Sequence, residues 1–193
     1  MDTRKVGVLG GGQLGRMLIE AANRLNIQVN VLDAPAAPAK QISAHDGHVS
    51  GSFKDAEAIR QLAKTCDVLT VEIEHVDTAV LAEIEQAGTV AIEPRASTLR
   101  IIKDKFAQKQ HLAAHGVAVA ESVDVEAYIN GSNPNPNSNS NSSNSNNDSP
   151  STDPSSSSSR TTALTTALTA IGRQLSYPYM LKSKTDAYDG RGN

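Results

Sequence analysis

Apolar positions along residues 4–129 switch between two periods, and the switches mark out the elements. Lys5 to Leu9 is a short, β-rich apolar run that predicts a buried strand, and Gly10-Gly11-Gly12 turns the chain. From Gln13 to Leu25 the apolar residues Leu14, Met17, Leu18, Ala21, Ala22 and Leu25 recur at helical spacing. Ile27 to Leu32 predicts a second strand ending at Asp33, with a loop from Ala34 to Ala39, and Gly47 to Gly51 predicts a short strand. Asp55 to Lys64 reads as a helix with Ser52 or Asp55 as N-cap. Val68 to Ile73 is the next strand, Thr78 to Ala87 a helix closed by Gly88, and Val90 to Ile92 a strand again. Strand–helix alternation with short connections predicts βαβ units, a mostly parallel sheet and an α/β, Rossmann-like fold. Leu99 to His115 predicts one helical segment closed by Gly116, then a strand over Val117–Ser122.

The pattern breaks at Asn130. Residues 130–159 are almost entirely Asn, Ser, Pro and Asp, with no apolar side chain whose burial offsets the entropy of ordering, so this tract is expected to be a disordered insert. Asn130-Gly131-Ser132 and Asn141-Ser142-Ser143 are formal glycosylation acceptors, but no secretory signal accompanies them. Helical spacing resumes from Arg160 to Leu175 through Leu164, Leu168 and Ile171, and Tyr179 to Lys182 predicts a strand entering the closing loop. The expected organisation is a first domain over 1–115, a second formed by 116–129 and 160–193, and the insert between its two parts.

Composition narrows the function classes. The chain has 193 residues, a hydrophobic fraction of 38% and a net charge of −3, which gives no electrostatic footprint for nucleic acid or a membrane surface. No apolar run reaches transmembrane length. The lone Cys66 excludes an internal disulfide framework and fits a reducing, cytoplasmic compartment, where a buried structural thiol is expected.

Several segments carry candidate chemistry. Gly10-x-Gly12-x-x-Gly15 follows a strand and opens a helix, the context of a dinucleotide fingerprint, and Asp33 stands where a ribose-binding acid would. This allows an NAD(P)-dependent oxidoreductase, a turn that binds no ligand, or an anion site for a phosphorylated small molecule at the helix N-terminus. Glu72 and Glu74 flank Ile73 at the carboxyl end of a predicted parallel strand, where open α/β sheets bind ligands, and pleat alternation puts them on one face. His45, His48, His111 and His115 are read as surface residues, and no metal cluster is expected. At the end of the chain Lys182 is followed by Asp186-Ala187-Tyr188-Asp189-Gly190-Arg191-Gly192, a glycine- and cation-bearing stretch suited to phosphate.

Taken in order, Val8 to Met17, Asp67 to Glu74, Lys103 to Lys109 and Leu181 to Asn193 resemble the N5-carboxyaminoimidazole ribonucleotide synthetases, ATP-grasp enzymes of purine biosynthesis. The resemblance is closer to that module as it occurs, fused to a carboxylase domain, in the fungal phosphoribosylaminoimidazole carboxylases. It covers 4–129 and 162–193. It implies a Rossmann-like pre-ATP-grasp domain followed by the truncated start of an ATP-grasp domain. It also implies a reaction in which ATP and bicarbonate form carboxyphosphate and the exocyclic amine of aminoimidazole ribonucleotide captures CO2.

Under the resemblance Gly11, Gly12, Gln13, Leu14 and Glu72 bind the ribonucleotide, which reassigns the glycine turn from dinucleotide to ribonucleotide. Lys105, Lys182 and the 186–192 loop bind ATP, with Tyr188 and Arg191 beside substrate and carboxyphosphate. Charge neutralisation by such groups is what phosphoryl transfer demands. ATP is implied with Mg2+ whose ligands fall beyond Asn193, so the chain is expected to be a fragment, inactive alone, of an enzyme that forms a homodimer. Asp186 departs from the family, whose bacterial members carry Gly-Gly and fungal members Met-Ala at 186–187; an acid there would oppose ATP phosphates. A third alternative is a non-catalytic binding module.

Overall fold

The computed structural model describes residues 3–131 and 157–185. The 186–192 loop, with Tyr188 and Arg191, and residues 132–156 of the expected insert lie outside the described residues. The chain falls into two compact units that divide between Lys103 and Asp104, not at His115.

The first unit runs β1 (Val6–Leu9), α1 (Gln13–Arg24), β2 (Val29–Asp33), α2 (Pro38–Ile42), β3 (Val49–Ser50), α3 (Ala56–Ala63), β4 (Val68–Val71), α4 (Thr78–Ala87), β5 (Ala91–Ile92) and α5 (Ala96–Lys103). Its strands form one parallel five-stranded sheet in the order β3-β2-β1-β4-β5. Chain direction across the sheet reverses at β1, whose Val6 to Leu9 pair with Val29 to Leu32 on one side and Val68 to Val71 on the other. The crevice beyond the carboxyl ends of β1 and β4 is therefore the topological switch point, the place where such sheets bind ligands.

Pleat alternation divides the core into two layers. Val8, Val29 and Val31 face Ile19, Ala22 and Ala39 of α1 and α2. Leu9, Leu32 and Leu69 face Ile59, Leu62, Leu81 and Leu99 of α3, α4 and α5. Helix α1 buries Gly15, Ile19 and Ala22, while Leu14, Met17 and Leu25 are exposed, so the buried stripe lies beside the one expected. The close approach of α1 to the sheet depends on Gly15, where a Cβ would stand 2.8 Å from the Gly10 carbonyl oxygen.

Two expectations for the first unit change. Helix α2 occupies part of the predicted Ala34–Ala39 loop, with Pro38 in its first turn, where a missing N–H costs nothing. Strand β4 stops at Val71, so the alternation that put Glu72 and Glu74 on one face does not extend to them.

In the second unit the segment expected as one helix from Leu99 to His115 is broken. Asp104 is extended and accepts hydrogen bonds from the Phe106 and Ala107 N–H groups, starting a new helix, α6 (Lys105–Ala114). The break explains the division at this point. Lys103 Nζ binds the Val76 carbonyl within the first unit, whereas the Lys105 N–H binds the Lys184 carbonyl within the second. Helices α7 (Val125–Ile129) and α8 (Ser157–Leu175) complete the described elements; α7 was not expected, and α8 takes up 157–159 from the expected insert. Val117–Ser122 and Tyr179–Lys182 are not strands: their apolar runs find no ladder among the described residues, and Val117, Met180 and Leu181 are exposed. Among the described residues no helix is long and apolar enough to cross a membrane.

Candidate ribonucleotide site

The carboxyl ends of β1, β2 and β4 place the glycine turn, Asp33 and Glu72 together. The chain leaves β1 at Gly10, whose N–H donates to Leu32 O (3.1 Å) and whose φ of +107° only glycine adopts freely. A Cβ at Gly10 would stand 2.7 Å from Glu72 Oε2, so the glycine makes room for that carboxyl to lie over the turn. The Glu72 N–H donates to Leu9 O (2.9 Å), which anchors the acid's backbone to the end of β1.

Gly11 is held on its other side. Its N–H donates to Asp33 Oδ2 (2.6 Å), its carbonyl accepts from the Ala39 N–H (3.0 Å), and a Cβ on it would strike Val31. The second Asp33 oxygen accepts from the Ala34 N–H (2.6 Å). Both oxygens thus accept from backbone, in the place where the dinucleotide reading needs a ribose acceptor.

Past this clamp the site opens. Gly12, the N-cap of α1, has nothing within 4 Å of its missing side chain and offers no side-chain cap, so the first-turn N–H groups of Gln13 and Leu14 face outward with the helix dipole behind them. That is an anion-binding arrangement.

Electrostatics at this edge are set by acids. Burial, then the neighbouring charges of Asp33 and Glu74, push the Glu72 carboxyl above its usual range. His75 lies 4.0 Å from Glu74. Beneath them Lys40 is buried, its ammonium donating to Asp33 O (2.7 Å), Val49 O (2.7 Å) and Ser50 Oγ (3.2 Å); burial lowers its pKa and Asp33 partly restores it. This lysine was not singled out in the sequence, where it reads as one more surface cation. Among the described residues no group of His, Cys, Asp and Glu gathers to hold a metal ion.

The histidine expectation also changes. His45 and His48 stack with ring centroids 4.1 Å apart, partly buried. His48 Nδ1 accepts the Val31 N–H (3.0 Å) and its Nε2 binds Ser43 O, so an imidazole completes the edge of β2 where β3 is too short to pair.

Cys66 is half-buried against Gly7, its thiol 3.5 Å from Leu62 O, and burial pushes it up to about 11, which fits the expected inert thiol. A cavity of about 580 Å³ lined by Arg60, Lys64, Cys66 and Glu83 opens at the opposite, amino ends of the strands. Its Arg60 and Glu83 are paired with each other (2.7 Å), and the sheet's switch point is the better site.

The second unit carries the candidate ATP lysines. Lys105 opens α6, and its N–H bond to Lys184 O (2.9 Å) ties that helix to the segment containing exposed Lys182. Lys184 itself is committed to Asp124 (3.0 Å) and Glu126 (3.4 Å) at the start of α7. Burial raises the Asp124 carboxyl, but Lys184 and the N–H groups of Ala127 and Glu126 outweigh it and hold that acid below its usual range.

Comparison with known proteins bears on this geometry. The family described as the ribonucleotide synthetase preATP-grasp domain matches residues 3–103. Phosphoribosylaminoimidazole carboxylase of Ogataea methanolica is 47% identical over the whole chain, which spans 29% of that protein. A crystal structure of N5-carboxyaminoimidazole synthase from Aspergillus clavatus, in complex with ADP and 5-aminoimidazole ribonucleotide, is similar with a TM-score of 0.72 and 50% identity. It covers 98% of this chain and 39% of its own. The carboxyaminoimidazole ribonucleotide synthase from the same organism, complexed with ATP, gives 0.74 and 53%, covering 98% and 40%.

Proposed function

The chain belongs to the ribonucleotide synthetase family defined by the pre-ATP-grasp domain, and from that premise we propose that its first unit binds aminoimidazole ribonucleotide for ATP- and bicarbonate-dependent carboxylation in purine biosynthesis. The observation that carries the reading is the Glu72 carboxyl lying over Gly10 beside the uncapped N-terminus of α1. A phosphorylated amine needs both: N–H groups for its phosphate and a carboxylate to accept from its amine.

Gly12, Gln13 and Leu14 receive the phosphate, and Glu72 orients the exocyclic amine toward CO2 released from carboxyphosphate. The new C–N bond forms from the amine lone pair to CO2, the nitrogen gives up a proton to the Glu72 carboxylate, and phosphate and ADP leave. A raised Glu72 pKa suits a group that shares a proton with that amine. The second unit is the opening of the ATP-grasp domain, in which Lys105 and Lys182 neutralise ATP phosphates and Asp186, Ala187, Tyr188, Asp189, Gly190, Arg191 and Gly192 cover them. Tyr188 and Arg191 of that stretch are the residues assigned to substrate and carboxyphosphate. Mg2+ accompanying ATP would supply further phosphate neutralisation; among the described residues no group of His, Cys, Asp and Glu gathers to hold it. A cytoplasmic location and a homodimeric full-length form belong to the same reading.

Calorimetric titration of aminoimidazole ribonucleotide against Glu72→Gln tests it. A hydrogen bond to a charged group contributes about 1.5–3 kcal/mol, so the variant is expected to bind roughly 10- to 100-fold more weakly. Equal affinity would remove Glu72 from the site.

A further inference from the structure

Asp33 stands at the switch point with both carboxylate oxygens hydrogen-bonded to backbone N–H groups. Its oxygens accept from Gly11 and Ala34 N–H, both at 2.6 Å. Its own carbonyl accepts from buried Lys40, which also holds Val49 O and Ser50 Oγ. The Gly11 carbonyl is taken by the Ala39 N–H, and Gly11 has no space for a side chain between Val31, Asp33 and Ala37. Every polar backbone group of Gly11 is therefore fixed from the β2–α2 side, and the next residue along, Gly12, begins the open part of the site. Gly10, one residue before, is the floor on which Glu72 rests.

From this arrangement we infer that Asp33 is a positioning residue of the ribonucleotide site: through the Gly11 N–H it locks the glycine turn, setting both the Glu72 carboxyl and the α1 amides for the ligand. Lys40 acts beneath it as the cation that holds the end of β2 in place. The acid also acts on Glu72 through space, because a negative charge beside a carboxyl favours its protonated form. The charges that bear on Glu72 are Asp33 and Glu74; His75 stands beside Glu74, and Lys40 couples to Asp33. This inference rests on the ribonucleotide reading of the site, but the clamp itself does not.

Three measurements on the 193-residue chain test it. In the unmodified protein, exchange of the Gly11 amide proton is expected to be slow without ligand. Asp33→Asn, isosteric but neutral, is expected to weaken aminoimidazole ribonucleotide binding about tenfold or more and to move the titration of the Glu72 carboxyl, followed by carbon NMR, to lower pH. Asp33→Glu, which keeps the charge, is expected to restore the Glu72 titration and part of the affinity. A Gly11 amide that exchanges like an open loop, or an Asp33→Asn variant that binds and titrates like the parent, overturns the inference. If the parent chain binds no ribonucleotide, the substrate reading fails while Gly11 exchange and Glu72 titration still decide the role of Asp33. If Asp33→Asn does not fold, Gly11 exchange in the parent decides alone.

Discussion

Glu72 and Asp33 are neighbouring acids given opposite tasks by their hydrogen bonds. The Asp33 carboxylate accepts from two backbone N–H groups, whereas Glu72 is pushed toward its protonated form by burial and by acids around it. Spacing brought out both residues: a strand-end acid about 20 residues after a glycine turn can read as a ribose ligand, and nothing in residue spacing shows which groups its carboxylate accepts from. His48 was legible only as a loop histidine, because its partner is a backbone N–H on another strand.

That bond gives a pH dependence. Burial lowers the His48 pKa from its ordinary 6.5, against a rise from Ser43 O, and His45 and Lys40 lower it further. A depressed folded pKa means the native state favours the neutral ring, so its stabilisation is full above the unfolded value and is lost as pH falls through the folded one. Urea unfolding between pH 7.5 and 5 (roughly, spanning the unfolded pKa) should show stability falling with acid, and the fall should be shallower in His48→Gln. Parallel curves would contradict this.

At the scale of elements, what the sequence showed best was structure with local causes. Helix α4 runs from Thr78 to Ala87 as read, because Asp77 caps its start and Gly88 takes the left-handed turn at its end, φ +67°. Asp77 accepts from both Ala79 and Val80 N–H (2.9 and 3.2 Å). Asp77→Ala is expected to lower unfolding free energy by about 1 kcal/mol, within a range of roughly 0.5–2, measurable by chemical denaturation; no change would show the cap contributes nothing. The Asp104 cap carried the same signal, yet charge on both sides hid it within Lys103-Asp104-Lys105 and the segment read as one helix. Val117–Ser122 and Tyr179–Lys182 failed for a different reason. A short apolar run states a preference for a packed surface, and only a neighbouring strand makes it a strand.

For the whole molecule, the parallel sheet and its α/β layering followed from the alternation of periods, and the switch point from strand order, which only the structure supplies. Both candidate ligand classes map onto separate units, ribonucleotide on the first and ATP lysines on the second. The chain spans 29% of the length of its Ogataea methanolica relative. Amide shift mapping by NMR, with aminoimidazole ribonucleotide and separately with NADH, tests the central claim. Saturable shifts concentrated on Gly11, Gly12, Gln13, Leu14 and Glu72 with the ribonucleotide, and none with NADH, are the predicted result. Amides of the glycine turn that stay still under the ribonucleotide, or that saturate with NADH, would contradict it.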